Sequence, residues 1–244
     1  MTSEIPKTAI LLSAGYGKRM QPLTSERPKP LIEVGGRSML DRALDRMIDA
    51  GIERVVVNLF YKGEMIRDHL AGRKDVDILF SEEAELLETG GGIKQALPLL
   101  GDGPFIAANS DTVWLDGPTQ ALQRMADEWN PDAMDALLML HSGAAAWGYE
   151  GVGDFTMDEF GKIARREEIL VAPFVYTGVQ ILTADLFADT PDGPFSMNLL
   201  FDRVIENERL YGIVHDGEWH HVGTPEQLEE ANLRFGDNAP TSGK

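Results

Sequence analysis

The sequence has no cysteine, which excludes disulfides, thiolate metal sites and cysteine nucleophiles. It is also poor in positive charge: 22 lysines and arginines against 40 aspartates and glutamates leave a formal net charge of −18. A field of that sign repels nucleic acid, so no nucleic-acid partner is expected. No stretch approaches the roughly 18 apolar residues of a membrane span. The opening Met1-Thr2-Ser3-Glu4-Ile5-Pro6 lacks the basic and apolar regions of a signal peptide. A cytoplasmic protein without a membrane partner is expected. Scarcity of cations has a further use: a polyphosphate ligand needs its own cluster of cations and amides, and such a cluster stands out against this background.

Length and composition come next. The chain has 244 residues, 43% of them hydrophobic, enough to bury the core of one large domain. Short apolar runs alternate with helical patterns through its first half. Strands are expected at Thr8–Ser13, Val55–Val57, Val76–Phe80 and Phe105–Ala108. Helices are expected from Ser38 as N-cap to Ala50, at Gly63–Leu70 and at Gly91–Leu99. This rhythm indicates an α/β fold with a mainly parallel sheet covered on both faces. Further on, helices are expected at Pro118–Trp129, Phe195–Asn207 and Pro225–Phe235. Strands are expected at Ala136–Leu140, Val152–Met157, Val175–Leu182 and Leu210–Val214. Residues 1–235 read as a single domain and 236–244 as a flexible tail.

Chemistry-bearing residues gather after the apolar strands. The segment Leu12-Ser13-Ala14-Gly15-Tyr16-Gly17-Lys18-Arg19-Met20-Gln21-Pro22-Leu23-Thr24 leaves the first strand directly, at the sheet edge where α/β folds bind ligands. Gly15 and Gly17 let backbone amides approach a phosphate, and Lys18 and Arg19 add charge. A glycine pair after a strand is also an ordinary tight turn. Neither the dinucleotide fingerprint nor the P-loop pattern is met: Arg19 and Met20 stand where a third glycine is expected, and no Gly-Lys-Ser/Thr closes the loop. Downstream, Pro28 and Pro30 restrain the backbone around Lys29. Asn109-Ser110-Asp111 follows the fourth strand, and a carboxylate there either holds a divalent cation or forms a turn.

Gly15-Tyr16-Gly17-Lys18-Arg19, Pro22-Leu23-Thr24 and Pro28-Lys29-Pro30-Leu31 together resemble the opening signature of the sugar-phosphate nucleotidyltransferases. The resemblance spans roughly residues 8–234 and implies a Rossmann-like mixed sheet of the nucleotide-diphospho-sugar transferase type. It divides the domain into a nucleotide-binding half, about 8–110, and a sugar-binding half, about 111–235. It implies nucleotide contacts from Ala14, Gly15, Gly17, Lys18, Arg19, Lys29 and Asn109, catalytic roles for Arg19, Lys29 and Asp111, and Mg²⁺ on Asp111, with Mn²⁺ as an alternative ion. Leu87-Glu88-Thr89-Gly90-Gly91-Gly92-Ile93 looks like the nucleoside loop of the bacterial N-acetylmuramate 1-phosphate uridylyltransferases. Glu88, Thr89, Gly90 and Gly91 are accordingly expected near the nucleoside. Asp154, Tyr176, Thr177 and Gly178 fall where the family builds its sugar pocket, and Lys162 and Arg165 are either sugar-phosphate contacts or solvated surface.

One departure concerns metal. Trp219-His220-His221-Val222-Gly223-Thr224-Pro225 resembles a family turn whose third residue is an aspartate that binds the metal, and His221 stands there instead. Imidazole suits Mg²⁺ poorly. His221 either bonds a metal-bound water or a phosphate, binds a softer ion such as Mn²⁺, or only fills the space. The implied partners are a nucleoside triphosphate, UTP by the closer resemblance, and a sugar 1-phosphate, N-acetylmuramate 1-phosphate by the same reading. Mannose 1-phosphate guanylyl transfer, glucose 1-phosphate thymidylyl or uridylyl transfer, and a catalytically silent nucleotide-sugar-binding domain remain alternatives. Oligomeric state is left open.

Overall fold

Thr8–Leu12 (β1) turns alternate side chains to opposite faces, and that alternation organises the molecule. Ala9 and Leu11 join one buried core, Ile10 the other. The same split recurs in Arg54–Leu59 (β4), where Val55 and Val57 face one side and Val56 the other. In Phe105–Asn109 (β6), Ile106 and Ala108 oppose Phe105 and Ala107. Such near-continuous apolar runs are what a sheet covered on both faces requires.

The computed structural model describes residues 4–236. Two short strands, Glu33–Val34 (β2) and Arg37–Ser38 (β3), form a separate hairpin. Asp77–Glu82 (β5), β4, β1 and β6 run parallel at one end of a nine-stranded sheet. Phe174–Leu182 (β11) pairs antiparallel with β6 on one side and with Ala136–Ser142 (β8) on the other. Leu210–Val214 (β12) lies parallel to β8 at that edge. A hairpin of Phe155–Met157 (β9) and Ile163–Arg165 (β10) adjoins the start of β11. The remaining strands, Val113–Leu115 (β7) and Glu218–His220 (β13), pair with each other away from the main sheet. The fold is thus mixed α/β with a mostly parallel centre, as expected.

Among the described residues seven α-helices accompany these strands: Leu23–Glu26 (α1), Met39–Asp49 (α2), Gly63–Leu70 (α3), Glu88–Leu100 (α4), Ala121–Glu128 (α5), Met197–Glu206 (α6) and Pro225–Phe235 (α7). Ser38 caps α2 through the Asp41 amide, and Leu40, Ala43, Leu44 and Met47 bury one stripe against β1 and β4. α4 and α6 cover the opposite face.

Several boundaries differ from expectation. α5 starts at Ala121 rather than near Pro118, because the Asp116 carboxylate takes the Ala121 amide and marks the first turn there. β9 begins only at Phe155, because Gly153 has φ +76 and cannot continue a strand. α4 begins at Glu88, three residues before the expected Gly91, so Gly90 is helical along with Gly91 and Gly92. Strands β7 and β13 have only three residues each, too few for a periodic signal, and went unanticipated. Of the tail, residues 237–244 lie outside the described residues.

Candidate active site

β1, β4 and β6 are parallel, so their carboxyl ends share one edge, and polar groups collect there: Ser13 after β1, Asn58 in β4, and Asn109 to Asp111 at the end of β6. The two glycines of the first loop serve different purposes. Gly17 has φ +61, and a Cβ there would lie 2.9 Å from both Lys29 Cβ and Thr24 Cγ2, so the backbone and the packing each demand glycine. Gly15 has no such requirement: a Cβ there meets nothing within 4 Å. The loop is anchored at its far end by Met20, fully buried with Ile32, Val34 and Val222.

Lys29 opens a short 3₁₀ turn, Lys29–Leu31, and its stem packs on Gly17. Its Nζ lies 2.6 Å from Asp111 Oδ2. Burial works against ionisation of Asp111, but the charge and hydrogen bond of Lys29 outweigh it and hold the carboxyl below the usual carboxylate range. Arg19, by contrast, has no acceptor within hydrogen-bond distance among the described residues and stays exposed. Lys18 is also without an acidic partner among them and lies over the Tyr16 ring.

Two cavities meet at these groups. The larger, about 500 Å³, is walled by Ala14, Gly15, Gly17 and Lys18 on the loop and by Glu88 and Thr89 at the start of α4. The smaller, about 230 Å³, is walled by Asp154, Tyr176, Thr177 and Gly178, with Tyr149, Thr112 and His221. Arg19, Lys29, Asn109 and Asp111 line both. Scarce cations therefore stand at the junction of two spaces, one of them loop-walled and the other sheet-walled.

His221 arrives through long-range pairing. β13 pairs with β7 in the register Trp219↔Trp114 and His220↔Val113, which carries the following residue toward Thr112 and into the smaller cavity with Asp111. The His221 amide is held by the Trp147 carbonyl at 2.8 Å. Burial, then the charges of Lys29 and Arg19, push its imidazole below the ordinary value against the pull of Asp111 and Asp154. It faces the site as a neutral ring. Gly223 lies between His221 and Arg19: a Cβ there would be 2.9 Å from Nε2 and 3.3 Å from Nη1.

Other expected residues behave differently. Gly90 and Gly91 line neither cavity; their amides both bond the Phe195 carbonyl, and side chains there would collide with the Phe195 ring and the Gly193 carbonyl. They serve the packing of α4, and the amides expected to face a nucleoside are already used. Gly178 has φ +90 at a break in strand register, where its missing side chain makes room for Asn109 and Thr112 rather than for a ring. The Thr177 hydroxyl donates to the Met139 carbonyl. Asp154 accepts the Tyr176 amide at 2.9 Å, and burial pushes the Tyr176 hydroxyl above its usual range. Lys162 pairs with Glu208 and Arg165 with Asp202, and neither lines either cavity. They are surface ion pairs. Asn58, Ser196, Tyr149 and Thr112 were not anticipated; only Asn58 carried a signal, as a polar residue late in an apolar strand at the ligand edge.

The donor set suits a hard ion in part. Among the described residues no three carboxylates or imidazoles converge. Asp111 is the one acidic side chain among them common to both cavities. Mg²⁺ fits such a place, because it keeps several waters and uses one or two carboxylates together with substrate phosphates.

A mixed α/β sheet whose ligand edge gathers Arg19, Lys29 and Asp111 where two cavities meet accords with the similarity to known proteins. The chain belongs to the nucleotidyl transferase family, whose model matches residues 8–238. It is 39% identical over 240 residues to the N-acetylmuramate alpha-1-phosphate uridylyltransferase of Caulobacter vibrioides, covering 96% of this chain and 99% of the relative. It is 33% identical to the enzyme of that name from Neisseria meningitidis, covering 93% and 98%. Among solved structures, a UDP-glucose pyrophosphorylase complexed with UDP-glucose superposes with a TM-score of 0.78 at 17% identity, covering 94% of this chain and 98% of that one. That likeness concerns the fold.

Proposed function

We propose that the protein transfers a uridylyl group from UTP to N-acetylmuramate 1-phosphate, forming a nucleotide sugar and pyrophosphate. One observation carries the reading: two cavities share Arg19, Lys29, Asn109 and Asp111 at their junction. A reaction between two phosphate-bearing substrates needs such a meeting point. The full-length similarity to two uridylyltransferases supports the choice of nucleotide and sugar.

An oxygen of the sugar phosphate, anionic near neutral pH, attacks the α-phosphorus. That P–O bond forms as the bond to pyrophosphate breaks on the opposite side. No protein nucleophile is needed, and the protein's task is to align two anions and neutralise their charge. Lys29, at the junction, faces the α-phosphate. Arg19, free of protein partners among the described residues, takes the departing pyrophosphate. Glu88 and Thr89 line only the larger cavity, and a carboxylate there suits ribose hydroxyls rather than phosphates. Asp154 and the neutral ring of His221 offer hydrogen bonds to the sugar and its phosphate. Asp111 would hold Mg²⁺, which would supply positive charge against that of the phosphates.

A pyrophosphate-release assay across UTP, GTP, dTTP and ATP, each with N-acetylmuramate, mannose and glucose 1-phosphates, tests the reading. Turnover is expected with UTP and N-acetylmuramate 1-phosphate in the presence of Mg²⁺. Preference for another pair overturns the substrate assignment, and binding without turnover by any pair identifies a silent nucleotide-sugar-binding domain.

A further inference from the structure

Behind the larger cavity lies a buried chain of hydrogen bonds that the transfer chemistry does not use. The Ser13 amide donates to Asn58 Oδ1 at 2.6 Å, Asn58 Nδ2 donates to Glu83 Oε1 at 2.6 Å, and the Leu87 amide donates to Glu83 Oε2 at 2.9 Å. Asn58 is 2% exposed and Glu83 7% exposed. Each end of this chain is a backbone N–H, which can only donate. The Ser13 amide therefore fixes the orientation of Asn58, oxygen toward the loop and nitrogen toward Glu83. Glu83 must then accept at both oxygens, because a donor faces each of them. A carboxylate accepts at both oxygens, whereas an amide in its place would set a donor against one of them. Burial pushes the Glu83 carboxyl above its ordinary value, and the Leu87 and Asn58 donors pull against that rise. Gly92 leaves the space: a Cβ there would lie 2.7 Å from Glu83 Oε1 and 2.9 Å from Asn58 Nδ2.

The two ends matter because of where they sit. Ser13 begins the glycine loop, and Leu87 immediately precedes Glu88 and Thr89, so the chain spans both walls of the larger cavity. The geometry points to Glu83, acting through Asn58, as the positioning residue that sets the distance between the glycine loop and the start of α4, and hence the affinity for the nucleoside triphosphate. Resting on the proposed nucleotide site, this assigns Glu83 no contact with substrate. It predicts an effect on one substrate only, since neither Glu83 nor Asn58 lines the smaller cavity.

The test exploits the isosteric exchange of carboxylate and amide. In Glu83→Gln the new amide nitrogen must face either Asn58 Nδ2 or the Leu87 N–H, leaving a buried donor unpaired. Combining Asn58→Asp with Glu83→Gln gives every donor an acceptor again. The carboxylate introduced at position 58 takes the Ser13 N–H and the amide nitrogen introduced at position 83, and the oxygen of that same amide takes the Leu87 N–H. Calorimetric titration of UTP, GTP, dTTP and ATP with Mg²⁺ gives the Kd of the tightest nucleotide without relying on turnover. Glu83→Gln is expected to weaken that Kd on the order of tenfold, the scale of one buried unpaired donor. The double variant is expected to recover it to within about threefold, the ordinary scatter of combined substitutions. In steady state the KM for the triphosphate rises while the KM for the sugar 1-phosphate holds. Gly92→Ala, which crowds the same pair without changing its chemistry, should repeat the loss and carries the comparison if Glu83→Gln fails to fold. An unchanged Kd in a folded Glu83→Gln, a double variant no better than the single, or equal rises in both KM values overturns the assignment. Wild-type binding without turnover would sink the transferase reading and leave this comparison standing; failure to bind any nucleotide sinks both.

Discussion

Lys29 Nζ and Asp111 Oδ2 stand 2.6 Å apart across the junction of the two cavities, joining the segment after the glycine loop to the end of β6. Without substrate the pair neutralises itself. On the proposed reaction a triphosphate would offer Lys29 a competing anion and so free the carboxylate for a cation. Asp111→Asn keeps the shape but removes that charge. Turnover should fall by about 10²-fold or more, the usual scale for a lost electrostatic stabiliser, with the unfolding midpoint little changed. Pyrophosphate release at graded Mg²⁺ checks this; unaltered metal dependence would place the ion elsewhere.

Arg19 differs from Lys29 in having no protein partner among the described residues. Arg19→Gln should therefore leave thermal stability unchanged while reducing turnover on the order of 10²-fold. A fall in melting temperature matching the loss of activity would reveal a structural role instead.

Gly15 and Gly17 should separate cleanly. Gly17→Ala forces a side chain into left-handed backbone and against Lys29 and Thr24, so it should cost about 1–2 kcal/mol from backbone strain alone. Gly15→Ala meets no protein atom within 4 Å and should leave stability intact. Its methyl would intrude where a phosphate approaches the loop, raising the KM for the triphosphate. Denaturation and steady-state kinetics on both variants decide the matter, and a normal KM in Gly15→Ala would move the phosphates off this loop.

Acid sensitivity follows from buried imidazoles. Burial pushes His215 and His220 below the ordinary value of 6.5, against the hydrogen bonds His215 makes to the Leu115 and Glu218 carbonyls and the attraction of His220 to Glu218. The folded protein thus binds fewer protons than the unfolded chain in this range. The stability these rings contribute is complete above pH 6.5 and lost as pH falls through their lowered values. Melting temperature should hold from about pH 8 to 7 and decline below about 6.5. A flat profile down to about pH 5 would contradict neutral burial.

Lys162→Ala tests a surface assignment. The side chain pairs with Glu208 outside both cavities, so both KM values and turnover should match the wild type. A raised KM for the sugar 1-phosphate would return it to the site.

Much of this was legible in the chain itself, and the reason is locality. An apolar strand, a glycine loop, Lys18 and Arg19, and a proline-braced Lys29 are contiguous, so their order announces their chemistry. Ser38 and the buried stripe of α2 likewise depend only on near neighbours. The misreadings were of another kind. Gly90 and Gly91 were expected near a nucleoside; their amides are instead taken by the Phe195 carbonyl, more than a hundred residues away. Gly178 does line the smaller cavity, but the room left by its missing side chain belongs to Asn109 and Thr112.

By itself the sequence determined the alternation that makes a two-faced sheet and the cluster of cations at its ligand edge, because both arise from residues adjacent in the chain. Only the tertiary structure decided that His221 shares the smaller cavity with Asp111, that Lys162 and Arg165 are occupied at the surface, and that Glu83 ties Ser13 to Leu87. Each of these depends on pairing between distant segments, some as short as the three residues of β7 and β13. Strands of that length carry no periodicity, and a side chain's partner across the fold leaves no mark on its own neighbours in sequence.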